Sequence, residues 1–342
     1  MIDPACLPMV EDVAWVHVDE AVAVGQCRRT ATALAERLGF GPTRTAEVGL
    51  AVTEIGTNLH KHARHGMVLV RSVRATTQAA VEVVAVDHGP GIDDLDRAWR
   101  DGESTTGTLG VGLGAVARLS DSCAISSRPG RGTVLAARFH ASRAPMAELP
   151  PTPTAGVTRA IGGEDVCGDA YAVRHDTNRL TLMLCDGSGH GPLAASAARA
   201  AVREFCARPS GRPEEMVERI HDALRGTRGG AVGVADIDLV ARSVRFAGLG
   251  NIAATVVADG HKKGMISVPG VAGYQARSFR GYDHPLPANA AVVLHSDGLT
   301  ERWTADVVDG LLLGNPLLIA TTLLRDAGVR RDDASVLVAR TS

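Results

Sequence analysis

Residues 141–156 read ASRAPMAELPPTPTAG, with four prolines, no hydrophobic period and mostly small side chains. Proline lacks an N–H and fixes φ, so such a stretch resists helix and sheet pairing alike and acts as a semi-rigid linker. It divides the 342-residue chain into two parts of ordinary domain size. We therefore expect domains at 1–142 and 157–342, joined by a linker at 143–156. The patterning changes across that boundary. Before it, helical periods and strands are interleaved; after it come many short strands with helices in blocks, which argues α+β and a layered sheet sandwich covered by helices.

Hydrophobic residues at 45% and charged residues at 22% predict a soluble globular protein, and a net charge of −2 gives no electrostatic case for nucleic acid or an acidic membrane. Aromatics make up 3%, so the cores must be built from Ala, Val and Leu. The six cysteines form no CxxC pair, and we read them as reduced thiols of a cytoplasmic protein. The N-terminus shows no basic segment followed by an apolar one, so no signal peptide is expected. Residues 311–324 are apolar but short and broken by Gly314-Asn315-Pro316, so no membrane span is expected either.

In the first part, a helix is predicted over 42–62, opening on Pro42. Val48, Val52, Ile55 and Leu59 form its core stripe, and Glu54, Asn58 and His62 share a neighbouring face. That face is either a functional pair with its neighbour or an ordinary polar surface. Strands are predicted at 67–74 and 80–86, the second ending in Asp87-His88-Gly89-Pro90-Gly91. A polar loop over 93–108 leads to Gly110-Val111-Gly112-Leu113-Gly114, which opens another helix. Glycines at a helix start expose backbone N–H groups to an anion. The run follows a loop and lacks the third glycine of a dinucleotide fingerprint. Strands at 122–127 and 133–139 flank Pro129-Gly130-Arg131-Gly132.

Glu54-(x3)-Asn58, Asp87-x-Gly89-x-Gly91, Gly110-x-Gly112-x-Gly114 and Gly130-x-Gly132-Thr133 stand in the order of the GHKL (Bergerat) ATPase fold, an α/β sandwich. The compact form most resembles the RsbT-type and anti-sigma-factor kinases, over residues 10–140. The resemblance implies ATP with Mg²⁺ as ligand. Asn58 would hold the Mg²⁺, Glu54 would be the general base, and Asp87 would accept from the adenine amino group. Gly89 and Gly91 would complete the base site, Gly110, Gly112 and Gly114 would cradle the phosphates, and Thr133 would sit near the base.

In the second part, residues 181–185 form an apolar run that ends in Asp186-Gly187-Ser188-Gly189-His190-Gly191. An unalternating run is the mark of a strand buried on both faces. Asp169 begins one strand, Asp186 ends the next, Asp297 follows the strand at 291–295, and Asp332-Asp333 precede the strand at 334–339. Each alone is either a turn or capping Asp beside a Gly or an oxygen ligand for a hard cation. Together at strand ends they would repel one another without a cation, so a dinuclear Mn²⁺ or Mg²⁺ centre is the economical explanation. Oxygen-only donors argue against zinc.

The motifs Gly168-Asp169, Asp186-Gly187-Ser188-Gly189-His190-Gly191, Ser296-Asp297-Gly298-(x2)-Glu301 and Asp332-Asp333-Ala334-Ser335 resemble the SpoIIE-type branch of the PPM serine/threonine phosphatases, a β-sandwich flanked by helices. Residues 161–169 lack the usual GGDYYD form and are closer to an RsbX-like subgroup. By the resemblance Asp186 would bridge two metals and Gly187 would add its carbonyl. Asp297 and Asp332, with Asp333 as the neighbouring choice, would complete the pair, and Asp169 would bind through water or a third ion. The implied activity is a metal-dependent phosphatase acting on a phosphorylated STAS-domain or anti-sigma antagonist protein, in a setting that includes a sigma factor or a stressosome complex. The first domain would serve as kinase or regulator. The alternative is a nucleotide-dependent partner-switching protein with little phosphatase activity. Gly248-Leu249-Gly250-Asn251 occupies the place of a loop that lies near the site in the phosphatases it resembles, and is read either as that loop or, in preference, as a simple turn; His190 is left without a role.

Overall fold

The computed structural model describes residues 6, 9–74, 78–95, 112–142, 153–162, 164–308, 310–329 and 331–341. The chain divides into two compact units, one of Pro8–Pro151 and the other of Met1–Leu7 with Thr152–Ser342.

The first unit contains β1 (Met9–His17), α1 (Ala21–Arg37), α2 (Pro42–His62), β2 (Met67–Arg74), β3 (Ala79–Val86), α3 (Leu113–Leu119), β4 (Ser122–Arg128) and β5 (Gly132–His140). Its strands form one antiparallel sheet in the order β1-β2-β3-β5-β4. Side chains alternate across a strand, so Val68 and Val70, Val81 and Val83, and Leu135 and Ala137 all face one side. There they meet Val48, Val52, Ile55 and Leu59 of α2 and Cys27, Ala31 and Leu34 of α1. The alternate positions hold a buried ion cluster. Arg71 Nε donates to Glu82 Oε2 at 2.7 Å and Arg138 Nε to Glu82 Oε1 at 2.8 Å, and Arg71 lies 3.6 Å from Asp12. Burial alone would raise the Glu82 pKa, but Arg138 and Arg71 outweigh it and hold the carboxyl down at about 2.

The second unit is a sandwich of two sheets. It contains β6 (Thr154–Arg159), β7 (Asp169–Asp176), β8 (Arg179–Gly187), α4 (Gly191–Ala207), α5 (Pro213–Ala223), β9 (Gly230–Asp238), β10 (Ser243–Leu249) and β11 (Ala253–Ala258). The later elements are β12 (His261–Met265), β13 (Ser267–Val268), β14 (Gly270–Val271), β15 (Gln275–Ala276), β16 (Tyr282–Pro285), β17 (Ala291–His295), α6 (Pro316–Ala327) and β18 (Ala334–Arg340). One sheet runs β13-β10-β9-β8-β7, with β16 also on β10; the other runs β12-β11-β17-β18-β6, and β14 and β15 form a small hairpin. Leu182 and Leu184 of β8 enter the core between the sheets, with Phe246, Val292, Leu294 and Leu337. Met183 and Cys185 of the same strand point the other way, into the layer built with Ala197, Ala201, Met216 and Ile220 of α4 and α5. Burial on both faces is why the 181–185 run shows no alternation.

Two features differ from the sequence expectation. Strand β6 begins at Thr154, inside the stretch read as linker to 156, and pairs with β18. It is an edge strand, where prolines at its entrance cost no ladder hydrogen bond. The cysteines are not all reduced: Cys6 and Cys206 form a disulfide, while Cys27, Cys123, Cys167 and Cys185 are free. With the pair 200 positions apart in sequence, no local pattern could reveal it. Among the described residues no helix is long and apolar enough to cross a membrane.

Candidate active site

The acidic residues of the second unit meet because both sheets end on the same side. Asp169, first residue of β7, is the ladder partner of Asp186 near the end of β8. In the other sheet, Ser296 N donates to Ser335 O at 3.1 Å and Ser335 N to Ser296 Oγ at 3.0 Å, which locks the Asp297 turn against the start of β18. Asp186 then feels Asp169, Asp297 and Asp332 at once.

The electrostatics follow from that crowding. Burial first, and then the charges of Asp169, Asp297 and Asp332, push the Asp186 carboxyl up to about 9. Asp169 is raised to about 7, mainly by burial; the neighbouring Ser296 and Ser335 hydroxyls offset this only in part, while Asp333 and Asp297 add to it. Asp297 is raised by burial and by Asp332. Both Asp169 oxygens are buried with no well-formed hydrogen bond, a costly state for a carboxylate that a cation would relieve. Among the described residues no three His, Cys, Asp or Glu side chains are gathered around one point closely enough to hold an ion as they stand. Asp186 and Asp297 instead share a hydrogen bond, which requires a proton on one of them. The donor set, all carboxylate, and the orphaned Asp169 oxygens fit a hard divalent cation.

Asp332 and Asp333 do different things. Asp333 is buried, and its oxygens accept from Ile161 N at 2.7 Å and Gly168 N at 2.8 Å, pinning the loop that leads into Asp169. Asp332 acts on Asp186 and Asp297 through its charge. Gly187 sits where a Cβ would stand 2.3 Å from Ala194 O of α4, so glycine is required there by helix packing. The 248–251 stretch, for which a simple turn is the preferred sequence reading, lies at the cluster, and sequence reasoning gives Asn251 no role there. Gly250, at φ 99°, aims Asn251 at the cluster, and its Nδ2 donates to Asp297 Oδ2 at 2.6 Å. Sequence reasoning also missed Glu164, whose Oε1 lies 2.8 Å from His190 Nδ1.

Because the folded pKa values of Asp186 and Asp169 lie above their unfolded ones, the folded state binds the extra protons. Their contribution is present at low pH and lost as pH rises through about 7 to 9. In chelator, the melting temperature of the second domain should fall between about pH 5 and 9, and saturating Mn²⁺ should flatten that fall. A midpoint that climbs with pH in chelator would contradict this electrostatic picture.

In the first unit, Asp87 follows β3, and its Oδ1 accepts from Gly89 N at 2.5 Å. Asp87 N donates to Thr133 O at 3.0 Å, and Thr133 Oγ1 lies 2.9 Å from Ser127 Oγ, which accepts from Ile92 N at 2.7 Å. Gly91, at φ 77°, passes so close to Arg128 that a Cβ would stand 2.3 Å from its carbonyl. A Cβ on Gly89 would stand 3.0 Å from His62 O, so this loop abuts the end of α2. Glu54 and Asn58 lie half-buried on that helix, and burial raises the Glu54 pKa against the pull of Lys61. Gly112 caps α3 and Gly114 is buried in its first turn. Gly110, and the 93–108 loop from residue 96 on, lie outside the described residues.

Comparison with known proteins covers both parts. The family described as "Histidine kinase-like ATPase domain" matches residues 18–139, and that of "Stage II sporulation protein E (SpoIIE)" matches residues 176–342. The serine/threonine-protein kinase RsbT of Bacillus subtilis (strain 168) is 33% identical over 137 residues, spanning 40% of this chain and 96% of that protein. The phosphoserine phosphatase RsbX of the same organism is 21% identical over 183 residues, 53% of this chain and 90% of that protein. A solved structure described as "The bacterial stressosome: a modular system that has been adapted to control secondary messenger signaling" is 28% identical, with TM-score 0.51, over 55% of this chain and 98% of that one.

Proposed function

The chain belongs to the RsbT-like kinases of the histidine kinase-like ATPase family through its first domain and carries a SpoIIE-type, PP2C-like serine/threonine phosphatase domain as its second, and from that premise we propose that it dephosphorylates a phosphoserine or phosphothreonine on a regulatory protein of the STAS or anti-sigma-antagonist kind. The observation that carries this reading is the convergence of Asp169, Asp186, Asp297 and Asp332 at the sandwich edge, where the Asp169 and Asp186 carboxyls are driven well above their ordinary range and that of Asp297 is raised. Asp186, with the Gly187 carbonyl beside it, Asp297 and Asp332 would hold two ions, and Asp169 would serve through water or a third ion. Two Mn²⁺ or Mg²⁺ ions would supply an activated water and the charge to stabilise in-line attack on phosphorus. Within the chain, Asn251 orients Asp297, while Asp333 fixes the loop into Asp169.

The first domain binds ATP–Mg²⁺ in this reading. Asp87, held by Gly89 N, would face the adenine amino group beside Thr133, with Gly89 and Gly91 shaping the base site. Asn58 would reach Mg²⁺, Glu54 would act as base, and the glycines at 110, 112 and 114 would receive the phosphates. A partner of the STAS class would thus meet opposed kinase and phosphatase activities in one chain. This fits the likeness to the serine/threonine-protein kinase RsbT and the phosphoserine phosphatase RsbX.

The test is phosphate release from a phosphorylated STAS-domain protein with Mn²⁺ or Mg²⁺, run beside ATP titration calorimetry. We expect metal-dependent release, and ATP affinity at least about 10-fold weaker in Asp87→Asn, which presents a donor to the adenine donor. Glu54→Ala should cut phosphoryl transfer by about 100-fold or more and leave phosphate release unchanged. No release from any phosphoserine or phosphothreonine protein under either metal would sink the reading.

A further inference from the structure

The turn after Asp186 is bracketed by side chains of opposite charge. Gly189, at φ 84°, lies so near Arg228 that a Cβ there would stand 3.1 Å from its Nη1. On the other side, a Cβ at Gly191 would stand 3.0 Å from the Glu164 carboxylate, which is paired with His190. Arg228 is placed by backbone rather than by an acidic partner. Gly230 is the ladder partner of Gly187, and Gly229 O accepts from Ser188 N at 3.0 Å. The residue before it is anchored as well. Thr227 Oγ1 donates to Leu224 O at 2.7 Å and accepts from Gly229 N at 3.0 Å, and Thr227 O accepts from Tyr274 Oη at 2.8 Å. The Tyr274 ring covers Gly229, where a Cβ would meet it at 2.8 Å. The Arg228 side chain is exposed and forms no ion pair with any described residue. Such a guanidinium, fixed at its base and free at its tip, is suited to an external anion.

Charge balance says which anion. Asp169, Asp186, Asp297 and Asp332 carry four negative charges when ionised, which two divalent cations would cancel. An incoming phosphate monoester brings close to two more, and Arg228 is the cation that the fold places against the turn leaving Asp186. We propose that Arg228 recognises the substrate phosphate, donating N–H groups to its non-bridging oxygens, with Tyr274 as the residue that positions the Arg228 loop. This rests on the phosphatase reading of the second domain.

The test uses the full-length protein with Mn²⁺, p-nitrophenyl phosphate and a phosphoserine peptide as substrates, and orthophosphate as ligand. Arg228→Ala should raise KM for both substrates by about 10- to 100-fold. It should weaken orthophosphate binding, read by calorimetry on the Mn²⁺-loaded protein, by a similar factor, with the Mn²⁺ concentration for half-activation unchanged. Arg228→Lys should recover part of the loss, and Tyr274→Phe should give a smaller rise in KM. A wild-type KM and orthophosphate affinity in Arg228→Ala would overturn the assignment. So would a loss confined to Mn²⁺ activation, since that marks a structural effect. Failure of the wild type to hydrolyse either substrate would instead overturn the phosphatase reading, and the orthophosphate titration would still report on Arg228.

Discussion

Replacing Asp186 with Asn should lower phosphatase turnover by about a thousandfold or more while making the metal-free domain more stable. The two effects have one cause. Asp186 stands among Asp169, Asp297 and Asp332, and burial and these charges lift its carboxyl to about 9. Asparagine keeps the shape and is neutral in the unfolded chain as well, so folding no longer has to protonate an ionised carboxyl against burial and the repulsion of its acidic neighbours. The same charge is what would hold two cations together, so Mn²⁺ affinity should fall sharply. Phosphate release, Mn²⁺ calorimetry and melting in chelator measure the three consequences. Full turnover in the variant would remove Asp186 from the mechanism, and a lower melting point in chelator would contradict the stored repulsion.

Gly298→Ala should disable the same site from the opposite direction, by geometry rather than charge. A Cβ at Gly298 would stand 1.9 Å from Asp333 O and 2.7 Å from Ala334 Cα. Both are backbone atoms and cannot swing aside. The Asp297 turn would have to part from the start of β18, straining the contacts between Ser296 and Ser335 and the bond from Val329 N to Gly298 O at 2.7 Å. Overpacking of this kind costs about 1–3 kcal/mol. It also separates Asp297 from Asp332, so we expect a lower melting point for the second domain and loss of Mn²⁺ affinity and phosphatase activity. ATP binding by the first domain should persist. Wild-type Mn²⁺ affinity in Gly298→Ala would show that the two turns can move apart without cost to the site.

Much of this architecture is legible in the residues themselves. The 42–62 helix, from Pro42 with its Val48, Val52, Ile55 and Leu59 stripe, matches α2 residue for residue. The reason is local: proline starts a helix, and apolar spacing of three and four selects its buried face. The two family resemblances rest on motifs of the same local kind, glycines and aspartates where a strand ends. Short polar strands such as His261–Met265 escaped notice because their side chains are largely exposed and carry no period.

Sequence by itself determined the division of the chain near its prolines, the buried character of the 181–185 strand and the presence of an acidic residue at each strand mouth. Each of these is written in backbone chemistry over a few residues. Tertiary structure alone gave two adjacent aspartates different surroundings, since Asp333 is claimed by amides 172 and 165 residues away while Asp332 acts by charge on Asp186 and Asp297. It alone turned Asn251 toward Asp297 across 46 residues, joined Cys6 to Cys206, and set Arg228 beside Gly189. Such pairings depend on sheet register and on which strand ends coincide in space, and no run of neighbouring residues encodes them.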